Sequence, residues 1–186
     1  MAIGHNRYST SGQTMLRNTQ PFVVEYALGP LAVAHNGNFV NTELLRANLE
    51  AHGSIFQSTV DTEVLIHLIA SYNRSTLLER TIDALKVVEG AYSVLFMSDR
   101  EMIAARDPNG FRPLVIGRFE GGGYVVASET CALDIVDAEF IREVEPGEIV
   151  TLNNNGLSSR RFAEVQTPAH CIFEHVYFAN PSSNMF

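Results

Sequence analysis

The chain has 186 residues, of which 46% are hydrophobic and 18% charged, and its formal net charge is −8. This predicts one globular domain with its own core, and the negative charge argues against nucleic acid or an anionic membrane surface as the principal partner. Apolar runs fall far short of the roughly 20 residues of a membrane helix, and no signal peptide is recognisable, so we expect a cytoplasmic protein. The two cysteines have neither disulfide nor zinc-type spacing, so no metal site is expected.

The first half of the chain predicts a hairpin followed by helices. Residues 22–26 and 31–34 are rich in apolar and β-branched side chains and flank Gly29-Pro30, which predicts two antiparallel strands. Three helices follow in the prediction. The first is capped by Asn41 or Thr42 and ends near Gly53, the second begins near Asp61, and the third covers about residues 76–88.

The second half predicts short strands separated by turns. These strands are predicted at residues 91–97, 102–105, 114–118, 124–128, 140–144 and 148–152. A block of helices followed by a strand meander favours an α+β fold of two antiparallel sheets with helices outside, rather than alternating βαβ units. After Phe162 the chain forms a connector, and residues 171–181 begin another apolar element.

Each polar residue that could bind a ligand also has a plain structural interpretation. Arg7 offers a planar fork of donors for a carboxylate, although surface ion pairs are the commonest role of arginine. The Asn36-Gly37 pair has the composition of a hairpin turn, yet its side-chain amide and glycine N–H could instead hold a developing oxyanion. Asp61 could cap the helix that follows it or receive an ammonium group. The six histidines lack the spacing of a metal pair and are predicted to be structural or exposed.

Four motifs, in this order, resemble the class II (N-terminal-nucleophile) glutamine amidotransferase domain. They are residues 4–12 (GHNRYSTSG), 20–22 (QPF), 35–38 (HNGN) and 61–63 (DTE). Residues 106–117 and 171–179 further resemble the amidophosphoribosyltransferase branch, which makes 5-phosphoribosylamine from glutamine and phosphoribosyl pyrophosphate in de novo purine biosynthesis. The resemblance implies an Ntn-hydrolase-like four-layer αββα sandwich of two antiparallel sheets, lacking its first strand and helix.

The resemblance also implies a role for each candidate residue. Arg7 would bind the α-carboxylate of glutamine, with Tyr8 and Thr10 shaping the pocket. Asp61 would hold the α-ammonium group, and the Asn36-Gly37 pair would form the oxyanion hole.

The catalytic nucleophile of the family is an N-terminal cysteine, which attacks the side-chain amide carbon while its own α-amine serves as the base. Ammonia leaves, and water then hydrolyses the glutamyl thioester. This cysteine would lie upstream of Met1, so we expect an enzyme by family whose 186-residue chain is inactive by itself. The resemblance assigns residues 1–165 to a truncated amidotransferase domain and residues 166–186 to the start of the junction with a missing phosphoribosyltransferase domain.

No cofactor is predicted within this chain. Mg²⁺, together with phosphoribosyl pyrophosphate, is expected only in the missing domain. Some family members bind an iron–sulfur cluster with one ligand near the position of Cys171, but the resemblance assigns no cluster here. The expected partners are glutamine, the chain's own phosphoribosyltransferase domain and further copies in a homo-oligomer of the full-length enzyme.

Two alternative functions stay open. The chain could be a non-catalytic glutamine-binding or interaction module. It could also be a fragment of an amidotransferase of the glucosamine-6-phosphate synthase type, which shares the Asn-Gly loop.

Overall fold

The computed structural model describes residues 1–6, 15–164 and 166–184. Three of the predicted site residues, Arg7, Tyr8 and Thr10, lie outside the described residues. Within the described ranges, nine strands form two antiparallel sheets, and no helix there is long and apolar enough to cross a membrane.

The strands are β1 (Phe22–Tyr26), β2 (Gly29–Phe39), β3 (Gly90–Met97), β4 (Glu101–Arg106), β5 (Val115–Phe119), β6 (Tyr124–Ala127), β7 (Ala138–Glu143), β8 (Glu148–Asn153) and β9 (Gly156–Arg161). The larger sheet has the order β1-β2-β3-β4-β8-β9, and the smaller sheet has the order β6-β5-β7. All neighbouring strands are antiparallel, as expected for strands joined by short turns.

The helices are α1 (Thr42–Ala51), α2 (Asp61–Ser71), α3 (Leu77–Leu85) and α4 (Thr130–Ile135). The first three confirm the helices predicted from the sequence. At the start of α3, the Thr76 hydroxyl accepts from the N–H of Glu79 at 3.2 Å and donates to the Glu79 carboxylate at 2.9 Å. Thr76 is therefore a side-chain N-cap, which satisfies one free N–H of the first turn and explains the sharp start of the helix.

Three apolar clusters define four layers. The first joins α1, α2 and α3 to one face of the larger sheet, with Val33, Ile69 and Ile103 among its members. The second lies between the sheets and combines Ala104 and Val150 of the larger sheet with residues of the smaller one. The third packs α4 against the outer face of the smaller sheet. The layers therefore run helix, sheet, sheet, helix, which confirms the predicted αββα sandwich.

The C-terminal segment, residues 166–184, packs back onto this sandwich. The N–H of Gln166 donates to the carbonyl of Pro108 at 3.1 Å, and the N–H of Ala169 donates to the carbonyl of Asn109 at 3.0 Å. The predicted apolar element is present as a short helical stretch that includes a π-helical turn at Glu174–Phe178. Four of its large apolar side chains are exposed: Ile172, Phe173, Val176 and Tyr177.

Candidate functional site

A cleft of about 520 Å³ opens where β2 of the larger sheet faces β6 of the smaller one. Its walls also include the N-terminal residues, the start of α2, the start of α4 and the C-terminal segment. The polar side chains that line it are His5, Asn6, Gln20, His35, Asn36, Asp61, Arg112, Ser128, Glu129, Cys131 and Glu174. The structure thus brings Asn36, Gly37 and Asp61, three of the predicted site residues, to one cleft.

In the described part of the chain, one edge of β2 has no strand partner in its second half. β1 pairs with β2 only as far as Val33, so the backbone groups that follow must find other partners. The N–H of His35 donates to Gln20 Oε1 at 2.7 Å, and the His35 carbonyl oxygen lies 3.1 Å from His5 Nε2. Among the described residues, side chains rather than a strand therefore contact this edge beside the cleft.

Gly37 lies on the same edge, midway between His35 and Phe39. The N–H of Phe39 donates to Asp61 Oδ2 at 2.9 Å. Alternate residues of a strand direct their backbone groups to the same edge, so the N–H of Gly37 is directed into the cleft. On the other edge of β2, Tyr92 of β3 is opposite Gly37. The backbone of Tyr92 is directed away from Gly37, because its N–H donates to Asp107 Oδ2 and its carbonyl accepts from the N–H of Asp107. The Gly37 N–H is therefore placed to meet a ligand.

Only glycine fits at position 37. Its φ is +143°, in the region that L residues with side chains rarely adopt. A Cβ at this position would overlap the carbonyl oxygen of Ala91 on β3. The absence of a side chain is thus what lets β2 pass close to β3 while its N–H stays open to the cleft.

Asn36 lies within β2, opposite Ser93 of β3. The interpretation of Asn36-Gly37 as a hairpin turn is therefore wrong: the strand continues to Phe39 because eight residues of β2 pair with β3. The Asn36 side chain is half-buried and lines the cleft, on the face of the strand opposite to that of His35. In the described part of the chain its amide has no hydrogen-bond partner.

Asp61 is the first residue of α2, and Val60 occupies the cap position. The interpretation of Asp61 as the helix cap is therefore wrong. Its Oδ1 lies 3.4 Å from His35 Nδ1, while Oδ2 accepts from the N–H of Phe39. Burial raises the pKa of Asp61, but the hydrogen bonds and charge of His35 and the N–H of Phe39 outweigh burial, so that the pKa lies below its ordinary value of 3.8. Asp61 thus presents an anion to the cleft near neutral pH.

Sequence reasoning misses part of this site. The histidine pattern predicts only a structural or exposed role for His35, yet this residue is buried on the cleft and contacts Asp61. On the opposite wall, Arg112 pairs with Glu174 of the C-terminal segment and lies over the Phe178 ring at 5.2 Å. Residue spacing gives no signal for this pair, because 62 positions separate the two charges.

The described ranges contain no group of three His, Cys, Asp or Glu side chains that could hold a metal ion. The two cysteines, Cys131 and Cys171, are half-buried and form no disulfide. The prediction that this chain carries no cofactor remains untested.

Residues 5–134 match the family described as the glutamine amidotransferase domain. The chain is 52% identical over 186 residues to the chloroplastic amidophosphoribosyltransferase of Glycine max, covering 100% of this chain and 33% of that protein. It is 49% identical over 185 residues to the amidophosphoribosyltransferase of Bacillus subtilis, covering 99% of this chain and 39% of that protein.

Solved structures agree with these matches. The glutamine phosphoribosylpyrophosphate amidotransferase of B. subtilis, complexed with ADP and GMP, superposes with a TM-score of 0.90 at 47% identity. That comparison covers 97% of this chain and 39% of the B. subtilis chain. The chain therefore spans between a third and two fifths of the length of these relatives. Because the G. max relative is chloroplastic and the other is bacterial, the cytoplasmic location stays a prediction.

Proposed function

The chain belongs to the glutamine amidotransferase family, and we propose that it forms the glutamine-binding part of an amidophosphoribosyltransferase. In this proposal the cleft binds glutamine and supports release of ammonia from its side-chain amide. Transfer of that ammonia to phosphoribosyl pyrophosphate, with the Mg²⁺ that accompanies this substrate, is assigned to the part of the longer relatives that the chain does not match. Assembly into a homo-oligomer also stays a proposal.

The observation that carries the proposal is the open edge of β2. Its N–H groups at His35 and Phe39 are both taken by side chains, whereas the N–H of Gly37 between them faces the cleft. The amide of Asn36, which has no hydrogen-bond partner among the described residues, lies beside it. Two adjacent donors held on a rigid strand suit an oxygen that gains negative charge during attack on an amide.

Asp61 supports the same assignment from the neighbouring element. Its carboxylate is held at the start of α2 by backbone and side-chain donors, and its lowered pKa keeps it ionised. An anion at this place would receive the α-ammonium group of glutamine. The α-carboxylate is assigned to Arg7, with Tyr8 and Thr10 beside it; these three roles rest on the resemblance alone.

We expect the 186-residue polypeptide to bind glutamine without hydrolysing it. The nucleophile that the resemblance implies is an N-terminal cysteine, and neither of the two cysteines among these 186 residues, Cys131 and Cys171, can supply a thiol and an α-amine from the same residue. Glutamate and ammonia release by the purified polypeptide would be measured directly. Turnover above the uncatalysed rate would contradict this part of the proposal.

Calorimetric titration of L-glutamine tests the binding site. Wild-type chain is expected to bind it, and Asp61→Asn and Arg7→Gln are each expected to weaken binding by about tenfold or more, because each removes a charged partner of the ligand. Arg160→Gln, at an exposed position of β9, is the matched control and should bind like the wild type. A wild-type chain that shows no binding of L-glutamine at millimolar concentrations would overturn the proposal.

The two alternatives make different predictions. A glutamine-binding module without catalytic partners would show the same binding, but a longer form of the protein would have no glutaminase activity. A glucosamine-6-phosphate-synthase-type enzyme would transfer ammonia to a sugar phosphate. We favour the amidophosphoribosyltransferase assignment because the relatives at 52% and 49% identity both carry that name.

A further inference from the structure

His35 links the Asn36-Gly37 pair on β2 to Asp61 at the start of α2, because it lies on β2 and contacts Asp61. Its backbone N–H and carbonyl are held by Gln20 and His5, as described above. Its ring is buried and stacks on Phe39, with ring centroids 4.4 Å apart and planes within 9°. No side chain stands between the two rings, because the residue between them is Gly37. The position and tilt of the imidazole are therefore set by β2 itself.

The ring Nδ1 faces α2. It lies 3.1 Å from Thr62 Oγ1 and 3.4 Å from Asp61 Oδ1, and the Thr62 hydroxyl lies within 3.5 Å of the same carboxylate oxygen. A hydroxyl that donates to Asp61 can accept from the ring, so this network assigns a proton to Nδ1. The other ring nitrogen, Nε2, is buried and has no partner in the described part of the chain. Among the described residues, hydrogen bonding therefore engages only the Nδ1 side of the ring.

Asp61 is consequently held by the residues two positions before and two positions after Gly37. His35 engages Oδ1, and the N–H of Phe39 engages Oδ2. Both donors belong to the strand that carries the Gly37 N–H. The position of the Asp61 carboxylate relative to that N–H is therefore fixed by two contacts with the same strand. A carboxylate held at both oxygens keeps one orientation toward the cleft.

We propose that His35 is a positioning residue that orients Asp61 and thereby makes the site selective for ligands with a free α-ammonium group. This inference rests on the proposed function, in which Asp61 receives that group. His35 touches no reacting atom in this proposal. Its effect should therefore appear only for ligands that carry the ammonium group.

Two ligands separate this role from a general structural one. L-glutamine carries the α-ammonium group, and 4-carbamoylbutanoate is the same molecule without it. The informative quantity is the ratio of their dissociation constants, measured by calorimetry on each variant of the chain. A loss of folding or of cleft shape would weaken both ligands, whereas a misplaced Asp61 would weaken glutamine alone.

The variants are chosen to remove one contact at a time. His35→Phe keeps the ring that stacks on Phe39 but removes the Nδ1 donor. His35→Asn places an amide nitrogen near the position of Nδ1 and should restore the contact. Asp61→Asn removes the anion itself. His52→Phe changes an exposed histidine at the end of α1 and is the matched control.

In the expected result, Asp61→Asn and His35→Phe each weaken glutamine binding by about tenfold and change the affinity for 4-carbamoylbutanoate by less than about threefold. The double variant should be no weaker for glutamine than Asp61→Asn, because His35 acts through Asp61. His35→Asn should stay within about threefold of the wild type for both ligands. His52→Phe should leave both affinities unchanged.

Thr62→Val is the second variant if His35→Phe does not fold. It removes the hydroxyl that contacts His35 and Asp61 but leaves the imidazole in place. Like His35→Phe, it should weaken glutamine binding relative to the binding of 4-carbamoylbutanoate. A wild-type ratio in His35→Phe, or in Thr62→Val where that variant is used, would overturn the inference. Equal weakening of both ligands would overturn it too. A wild-type chain that binds no glutamine, or an Asp61→Asn chain that keeps the wild-type ratio, would instead overturn the proposed function and this inference together.

Discussion

The carbonyl oxygen of Ala91 on β3 occupies the place where a Cβ on Gly37 of β2 would have to lie. The backbone of Gly37 also has φ +143°, so an added side chain would meet both a clash and an unfavourable conformation. Relief would require β2 and β3 to separate at the centre of the larger sheet. The same geometry that opens the Gly37 N–H to the cleft thus makes this position intolerant of substitution.

Gly37→Ala is therefore expected to destabilise the fold as well as the site. The free energy of unfolding should fall by at least ~2 kcal/mol, because strain and overpacking each cost on this scale. Gly121→Ala is the control, since a Cβ there meets no atom within 4 Å. Urea denaturation followed by circular dichroism measures both variants. Equal stability of Gly37→Ala and Gly121→Ala would contradict the close approach of the two strands.

Asn36→Ala tests the oxyanion assignment in a longer form of the protein that hydrolyses glutamine. Removal of one donor to the oxyanion is expected to lower kcat by about 10²–10³ with little change in KM, because the charge on the oxygen develops only in the transition state. Asn38→Ala is the matched control: its side chain is exposed and donates to the Phe39 carbonyl. A kcat in Asn36→Ala equal to that of the control would exclude the assignment.

Most of the fold could be predicted from local sequence patterns, and the two missed elements explain the limits. α4 has six residues, too few to show a helical period. β9 contains the polar run Ser158, Ser159, Arg160 and Arg161 and forms an edge strand that pairs only with β8. Because most of its side chains are polar and exposed, β9 shows no apolar alternation from which a strand could be predicted.

The candidate site was predictable in its residues but not in its geometry. The pair Asn36-Gly37 has the composition of a turn, and only its pairing with β3 keeps it extended. Asp61 has the composition of a cap, yet its carboxylate bonds to the strand rather than to its own helix. His35 belongs to the HNGN motif, but residue spacing does not indicate its contact with Asp61, because that contact depends on how β2 packs against α2. Such tertiary contacts override local preference.

The ion pair of Glu174 with Arg112 predicts how the C-terminal segment is held. Glu174 is 3% exposed, so removing its charge leaves the Arg112 guanidinium without its buried partner. Glu174→Gln is expected to accelerate hydrogen–deuterium exchange in residues 172–178 by at least ~10-fold, while the sheets keep their protection. Glu164→Gln, which changes an exposed carboxylate, is the control. Unchanged exchange in Glu174→Gln would show that other contacts suffice to hold the segment.

Glu148 predicts a pH dependence of stability. Its carboxylate accepts two hydrogen bonds from Arg142, each of 2.8 Å, and one of 2.7 Å from the N–H of Glu145. Burial raises the pKa of Glu148, but these bonds outweigh burial and hold the pKa below its ordinary value of 4.5. A carboxyl group with a lowered folded-state pKa stabilises the fold above its unfolded-state pKa, and that contribution is lost as the pH falls through the folded-state value.

Glu148→Gln should therefore cost ~1–3 kcal/mol of unfolding free energy at pH 7, the range for hydrogen bonds to a charged group. The difference from the wild type should begin to shrink as the pH falls below about 4.5, where the unfolded-state carboxyl becomes protonated, and should disappear once the pH is below the lowered folded-state pKa. Urea denaturation across this range measures it, with Glu139→Gln on the exposed face of β7 as the control. A difference that stayed constant down to pH ~3 would mean that the charge of Glu148 contributes nothing, and that the substituted amide destabilises the fold for reasons of shape.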